Sequence, residues 1–546
     1  MLTRGLALLL CLPIVSLLVT AAGWMGGTAQ PLALDYAAYV ANSLLLALGT
    51  GALSLAIGVM AAWYITLYDF PLRRVLEAAL LLPLAIPAYI MALIYGHWFD
   101  AAGPIQDLLR DASGLAYGDY WFPDIRSIAG SVLVLSLVLY PYVYILARLA
   151  FRRQCESWFE AAQLCGVPTR QWLWRVALPI ARPALAIGVA LVMMETLADF
   201  GVVSLFGVST FTTAIYKSWA GMGDLVTAAR LAIMLLLVVL FALWLERFSR
   251  RDWQQMQPAS QARRIRLLNV SKKRGWFLCA ACSLPVVIGF VIPVGQLLFW
   301  SLLNSSYWND GWNYHAATTS LILAVSAAFL ACVIGTIFAY AVRHRPQMAR
   351  WIRPATIGYA VPGSVVAVAV FMPLLLLDRS IATGIEHLTG ERPMLFLTGS
   401  LFAMVLACMY RFLVVAFGAI DSGLRTISPS VDDAARLLGT SQGRIIRELH
   451  WPHLRGSIMV GGLLVFADTM KELPASLLMR PFDVNTLAIR TYSLAQDGLL
   501  VQASVPSLML IAISLLAVCV IAWQQLGLRL PALTRMQATE QPAWQN

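Results

Sequence analysis

The sequence predicts an all-α integral membrane protein, about twelve transmembrane helices in two tandem six-helix halves, and three observations carry that prediction. Of 546 residues, 60% are hydrophobic and 12% charged, with mean hydropathy +0.74, against roughly 45–50% and about 25% in an average soluble domain. The apolar residues fall in runs of about twenty, the length that crosses a bilayer. Segments of the second half also repeat segments of the first at a spacing of 273 residues, half the chain. A surplus of apolar surface this large needs lipid as its solvent, which excludes a soluble enzyme, a nucleic-acid binder and a disordered chain. The eight cysteines form no disulfide framework, and Cys279-x-x-Cys282 reads as helix filler.

The twelve expected spans are 5–23, 41–66, 75–96, 127–147, 183–207, 225–246, 276–303, 317–342, 354–377, 396–418, 456–478 and 503–526. The first resembles a signal peptide but lacks a convincing cleavage site before Trp24, so it reads as an uncleaved helix. With the N-terminus inside, 30 of the 39 lysines and arginines fall in inside segments, including Arg73, Arg74, the run Arg247–Arg274 and Arg411. The positive-inside bias therefore places both termini in the cytoplasm. Loop 97–126, outside, is acidic instead, with Asp100, Asp107, Asp111, Asp119 and Asp124.

The repeat carries Pro179 onto Pro452, Arg182 onto Arg455, Gly188 onto Gly461, Glu195-Thr196 onto Asp468-Thr469 and Asp199 onto Glu472. With small shifts, Ala85-Ile86-Pro87 matches Ala360-Val361-Pro362, and Gly58 matches Gly335. Six spans per copy, an even number, give a parallel duplication about an axis along the membrane normal.

Between spans four and five, and again between ten and eleven, lies a cytoplasmic helix–turn–helix. Ser157-x-x-Glu160 and Ser430-x-x-Asp433 read as capping boxes that start a short helix. Gly166 and Gly439 suit the left-handed residue that ends it, and Pro179 and Pro452 are expected to stop the second short helix before the next span. The series Glu160-Ala161-Ala162, Gly166, Val176, Leu178, Pro179 resembles the signature of ATP-binding-cassette importer permeases. The second copy, Asp433-Ala434-Ala435, Gly439, Leu449, Trp451, Pro452, resembles it with Asp for Glu and Trp for Leu. The resemblance implies the type I importer permease fold, with each loop lying in a groove of an ATPase subunit dimer. It divides the chain into an N-terminal helix and outside loop (1–40), a first permease domain (41–246), a basic cytoplasmic linker (247–275), a seventh helix and outside loop (276–315), a second permease domain (316–526) and a cytoplasmic tail (527–546). No Gly-x-x-x-x-Gly-Lys-Ser/Thr phosphate loop occurs in the sequence, so this chain is expected to be no enzyme and to bind no cofactor, ATP being used by the partner.

Ionisable residues at membrane depth cost about 2.5–3.5 kcal/mol on insertion scales and mark candidate function. Span five carries Glu195 and Asp199, and span eleven carries Asp468, Lys471 and Glu472. The spacing of four puts each carboxylate pair on one helix face. One reading is an acidic lining of a cation path where the halves meet; the other is pairing with Lys471, Arg480 or Arg490 near the outer mouth. The run Glu195–Gly201 continuing to Phe206–Thr213, and the run Asp468–Ala475 with Leu478–Phe482, resemble the two halves of fused ferric-iron permeases. That resemblance implies translocation of ferric iron delivered by a periplasmic binding protein, in a bacterial inner membrane, with the high-affinity metal site on the binding protein and none here. Ferric ion prefers oxygen ligands, which agrees with the carboxylates. Similar layouts serve thiamine and other small solutes, and twelve spans in two halves also describe an ion-gradient-driven carrier, which would have no ATPase groove to fill. His450-x-x-His453 falls in the cytoplasmic loop and reads as structural, not as a metal site.

Overall fold

The computed structural model describes residues 2–23, 35–116, 118–152, 156–250, 267–303, 305–356, 358, 361–391 and 395–526. Most of the expected outside loop after span one, most of the linker and the C-terminal tail lie outside them. The described residues are almost wholly helical; a two-residue parallel bridge, Tyr68–Asp69 against Leu268–Asn269, ties the end of the linker to the loop after span two.

Nine of the twelve expected spans are, among the described residues, helices long and apolar enough to cross a membrane, and a bent pair makes ten. The other two form the helices Trp451–Lys471, diluted by Arg455, Asp468 and Lys471, and Leu500–Leu526. Three expected spans break where single helices were read. Span three divides into Arg73–Ala85 and Ala88–Ser113, bent by 89° at Ile86-Pro87. Spans five and eleven end at Ala198 and Lys471, and short helices Gly201–Leu205 and Pro474–Met479 follow. Each break falls where a proline lacks its N–H or where a carboxylate caps the next helix.

The duplication is visible in the packing. Within each half the second, fourth and fifth spans cross at glycines. A side chain on Gly58 would meet Val143 Cβ and the Tyr144 nitrogen at 2.8 and 2.9 Å, and one on Gly188 would meet Val143 Cα at 3.1 Å. In the second half, Gly335 faces the Phe417 nitrogen at 3.1 Å and Gly461 faces Ala416 Cα at 3.2 Å. Backbone touches backbone at the same relative positions in both copies, the small-residue packing that lipid-embedded helices favour. The first span of each half also reaches the other half. Ser16 in span one donates to the Ala369 carbonyl of span nine at 2.9 Å. Tyr95 in span three donates to the Ile288 carbonyl of span seven at 2.6 Å, and Trp98 to Gln296 at 3.1 Å.

Candidate functional site

The broken spans converge. A cavity of about 140 Å³ at the meeting of the halves is lined by Glu195 and Asp199 from span five and by Asp468, Lys471 and Glu472 from span eleven. The break of span three (Leu84, Ile86, Pro87), Tyr89 behind it and Arg411 of span ten complete the wall. All four carboxylates singled out from the sequence thus face one space. Among the described residues no three His, Cys, Asp or Glu groups come together as metal ligands, so the carboxylates line the space without closing into a ligand set.

Each acidic break has its own chemistry. Asp199 accepts from the backbone N–H of Val202 at 3.0 Å and Val203 at 3.4 Å, capping the short helix that follows. Glu472 does the same for Ala475 at 3.0 Å, and its second oxygen pairs with the Arg411 guanidinium. Glu472 and Arg411 are 5% and 6% exposed, and removing one partner of so buried a pair costs about 3–5 kcal/mol. Gly363, at the head of span nine, makes room for it: a side chain there would strike both Glu472 and Arg411. Lys471 lies 3.6 Å from Asp468 and 3.4 Å from the Leu84 carbonyl oxygen of the opposite half.

The basic partners named from the sequence are otherwise engaged, apart from Lys471. Arg480 donates to Asn485, and Arg490 to Asp310 and Asn313. Arg411 falls within the expected span 396–418 but counts among the inside charges of the loop that follows, so it was not singled out as a membrane-depth charge. That helix runs Leu401–Arg425, which puts Arg411 in mid-helix and removes it from the inside charge count. An arginine within an apolar run, with a spare carboxylate elsewhere in the membrane, was the available signal.

The two loops share one turn. Helix Glu156–Leu164 ends at Gly166 with φ +77°, and helix Pro429–Leu437 at Gly439 with φ +74°. The Val167 N–H bonds the Ala162 carbonyl and the Gly166 N–H bonds Gln163; Thr440 to Ala435 and Gly439 to Arg436 repeat the pair. This is the paired closure that caps a helix through a left-handed residue. Nothing lies within 4 Å of a side chain built on either glycine, so backbone conformation alone demands it.

Two expectations about the loops are corrected. In the second loop the helix Pro429–Leu437 is capped by Ser428, whose hydroxyl accepts from Ser430 N–H, with Pro429 in the first turn; Ser430 is therefore inside the helix and forms no capping box with Asp433. Ser157 also lies inside its helix, while its side chain, like that of Glu160, falls outside the described residues. Pro179 and Pro452 stop nothing. A π-helical turn, Leu173–Ala177 or Ile445–His450, runs straight into the spans Leu178–Ala198 and Trp451–Lys471. One extra residue per turn accommodates a ring that would clash with the carbonyl four residues back. Ala161 is exposed and Ala162 half-buried, Ala434 is exposed, and Ala435 is buried.

Asp433 is exposed and pairs loosely with Arg436 at 3.3 Å. Its neighbour Asp432, not singled out from the sequence, is buried and accepts from Arg343 Nε and Nη2 at 3.0 and 2.9 Å. His450, fully buried, completes the group: Nε2 lies 2.8 Å from Asp432 and Nδ1 3.2 Å from the Tyr340 hydroxyl. A carboxylate can only accept, so Nε2 carries the proton. Burial opposes ionisation of Asp432, but the hydrogen bonds from His450 and Arg343 outweigh it and hold its carboxyl below the usual range.

Two matched helical bundles with paired glycine turns and a charged cavity between them define a membrane component of a transport system. The family model for the binding-protein-dependent transport system inner membrane component matches residues 54–253 and 331–529, and the chain belongs to that family. It is 25% identical over 484 residues to the Fe(3+)-transport system permease protein FbpB 2 of Haemophilus influenzae, covering 87% of each chain. It is 22% identical over 489 residues to the ferric transport system permease protein FbpB of Actinobacillus pleuropneumoniae, covering 84% of this chain and 67% of that one. The molybdenum transport system permease protein ModB of Escherichia coli K12 matches at 26% over 207 residues, 36% of this chain and 87% of its own.

Proposed function

We propose that this chain is the inner-membrane passage of an ATP-binding-cassette importer for ferric iron, the ion arriving from a periplasmic binding protein and the work coming from an ATPase dimer docked on the loops at Gly166 and Gly439. In this reading both termini and both loops face the cytoplasm, Glu160 and Asp433 meet the ATPase, and Glu195, Asp199, Asp468 and Glu472 guide the cation. The observation that carries it is the single cavity receiving carboxylates from both halves. Hard oxygen donors suit a small, highly charged cation, and low-dielectric walls strengthen their field. Resemblance to ferric permeases across both halves supports the same cargo. An oxyanion fits less well, since four carboxylates face two cations and Arg411 is already held by Glu472.

The test is transport into vesicles reconstituted with the cognate ATPase and binding protein, scoring iron, thiamine, molybdate and sulfate. Iron entry that depends on ATP and on the binding protein is expected; ATP-dependent entry of another solute alone overturns the cargo assignment. Glu195→Gln, Asp199→Asn and Asp468→Asn should each lower iron entry per inserted molecule while ATPase association stays intact. Normal uptake in all three would end their role as a lining.

A further inference from the structure

The two carboxylate pairs of the cavity are equivalent by the repeat, but its two cations are not. Lys471 and Arg411 both come from the second half, and the residues 273 positions earlier, Ala198 and Val138, line the same cavity with no charge. Arg411 is fixed in its buried pair with Glu472. Lys471 is only half-buried, and its two contacts are long: 3.6 Å to Asp468 on its own helix and 3.4 Å to the Leu84 carbonyl oxygen, in the break of span three in the other half. A lysine ammonium is a compact point charge on a flexible four-carbon stem, so weak contacts of this kind hold it in place without locking it. A second observation concerns the same wall. Tyr89, 4% exposed and just beyond the break of span three, has a hydroxyl with no hydrogen-bond partner among the described residues. The wall thus combines a buried hydroxyl that has no partner among the described residues with a cation that spans the seam between halves.

We propose that Lys471 is a tethered substitute for the travelling cation: its ammonium closes the seam by bridging Asp468 and the Leu84 carbonyl, and an arriving cation displaces it. The proposal rests on the reading of the cavity as a cation path, and adds that the path carries its own counter-ion at rest. Without that charge the carboxylates would be less compensated, so the resting cavity would admit cations more readily and anions no better. An arginine would preserve the charge. A purely structural lysine would, when lost, loosen the cavity for both signs alike.

The experiment places a cysteine at Ala198, opposite Lys471 by the repeat, in the full chain reconstituted in vesicles. The reaction rates of a positively charged and a negatively charged methanethiosulfonate reagent are measured, with the parent lacking Ala198→Cys as blank. Lys471→Met should speed the cationic reagent by about tenfold, the lower end of what focused fields do to local ion concentration, and leave the anionic reagent unchanged or slower. Lys471→Arg should match the parent for both. Equal acceleration of both reagents, or none, overturns the proposal. The readout does not involve iron: a charge-selective change in a protein that imports no iron would refute the iron assignment and leave the tethered cation standing.

Discussion

The two loops that carry Gly166 and Gly439 are built on one backbone and anchored by opposite chemistries. At the 273-residue spacing Phe159 corresponds to Asp432, Ala177 to His450 and Trp172 to Ile445, while the shift that aligns Gly58 with Gly335 aligns Trp63 with Tyr340 and Thr66 with Arg343. In the first loop Phe159 packs on Trp63 and Trp172 with ring centres 6.3 and 5.0 Å away, and Trp63 meets Phe151 edge-on at 5.6 Å. In the second, the same position is a carboxylate held by Arg343 and His450. The turn that presents the loop has been kept, and the means of fastening it to the membrane domain has diverged. An aromatic anchor is indifferent to pH and salt; an ionic one depends on the charge of one carboxyl group.

The largest effect expected is from Phe159→Ala, which empties a ring-sized space and should cost about 3–4 kcal/mol, as large-to-small core changes do. Thermal unfolding of the purified permease would show it, with the same loss at pH 7 and at acid pH. Asp432→Asn should cost about 2–3 kcal/mol at neutral pH, the penalty for weakening hydrogen-bonded buried charges, and here pH separates the anchors. Because the Asp432 carboxyl is held below its ordinary value, its contribution is complete above about pH 4 and disappears as pH falls through the folded value. Hydrogen exchange should therefore loosen residues 429–450 ahead of 156–177 on acidification, and the Asn variant should abolish the difference. A pH-independent Asn effect would break the contrast.

The shared turn predicts symmetry instead. Gly166→Val and Gly439→Val should each cost roughly 1–2 kcal/mol, since a left-handed backbone resists a β-branched residue, and each should lower transport and stimulated ATP hydrolysis while insertion proceeds. Two variants that transport normally would end the coupling role of both turns. The smallest effect is expected at Asp433, whose exposed pair with Arg436 is worth at most about 1 kcal/mol. Asp433→Ala should leave stability nearly unchanged and, its side chain being a methylene shorter, weaken ATPase capture less than Glu160→Ala does. Equal losses in a pull-down would remove that asymmetry.

The contrast also shows what a sequence makes legible. Gly166 and Gly439 could be read because a left-handed helix end has so few solutions that the residue announces the geometry. The repeat and the acidic pairs of spans five and eleven could be read because ionisable groups in apolar runs stand out. Asp432 could not: adjacent aspartates at 432 and 433 look interchangeable until burial assigns one to Arg343 and His450 and leaves the other to solvent. The break at Asp199 was hidden for a related reason, since an apolar stretch continues past the carboxylate, whereas Pro474, two residues beyond Glu472, was a sign of the second break that went unused. Pro179 and Pro452 misled because a helix that widens by one residue can carry a proline that an ordinary α-helix would not tolerate.

The uninterrupted run from each loop into the cavity has a mechanical consequence. From Trp172 to Ala198 the chain is a continuous helical run, as it is from Gln442 to Lys471, about 40 and about 45 Å long at 1.5 Å per residue. Each run is gripped near its middle, at Gly188 or Gly461, where a neighbouring backbone leaves no compressible layer of side chains. A helix gripped most closely near its middle can act as a rocker. The arm from Gly188 to the loop is about 24 Å and the arm to Asp199 about 16 Å. Pulling the two loops together would swing the acidic ends apart, reduced to about two-thirds of the amplitude, so that closure on one side of the membrane becomes opening at the seam.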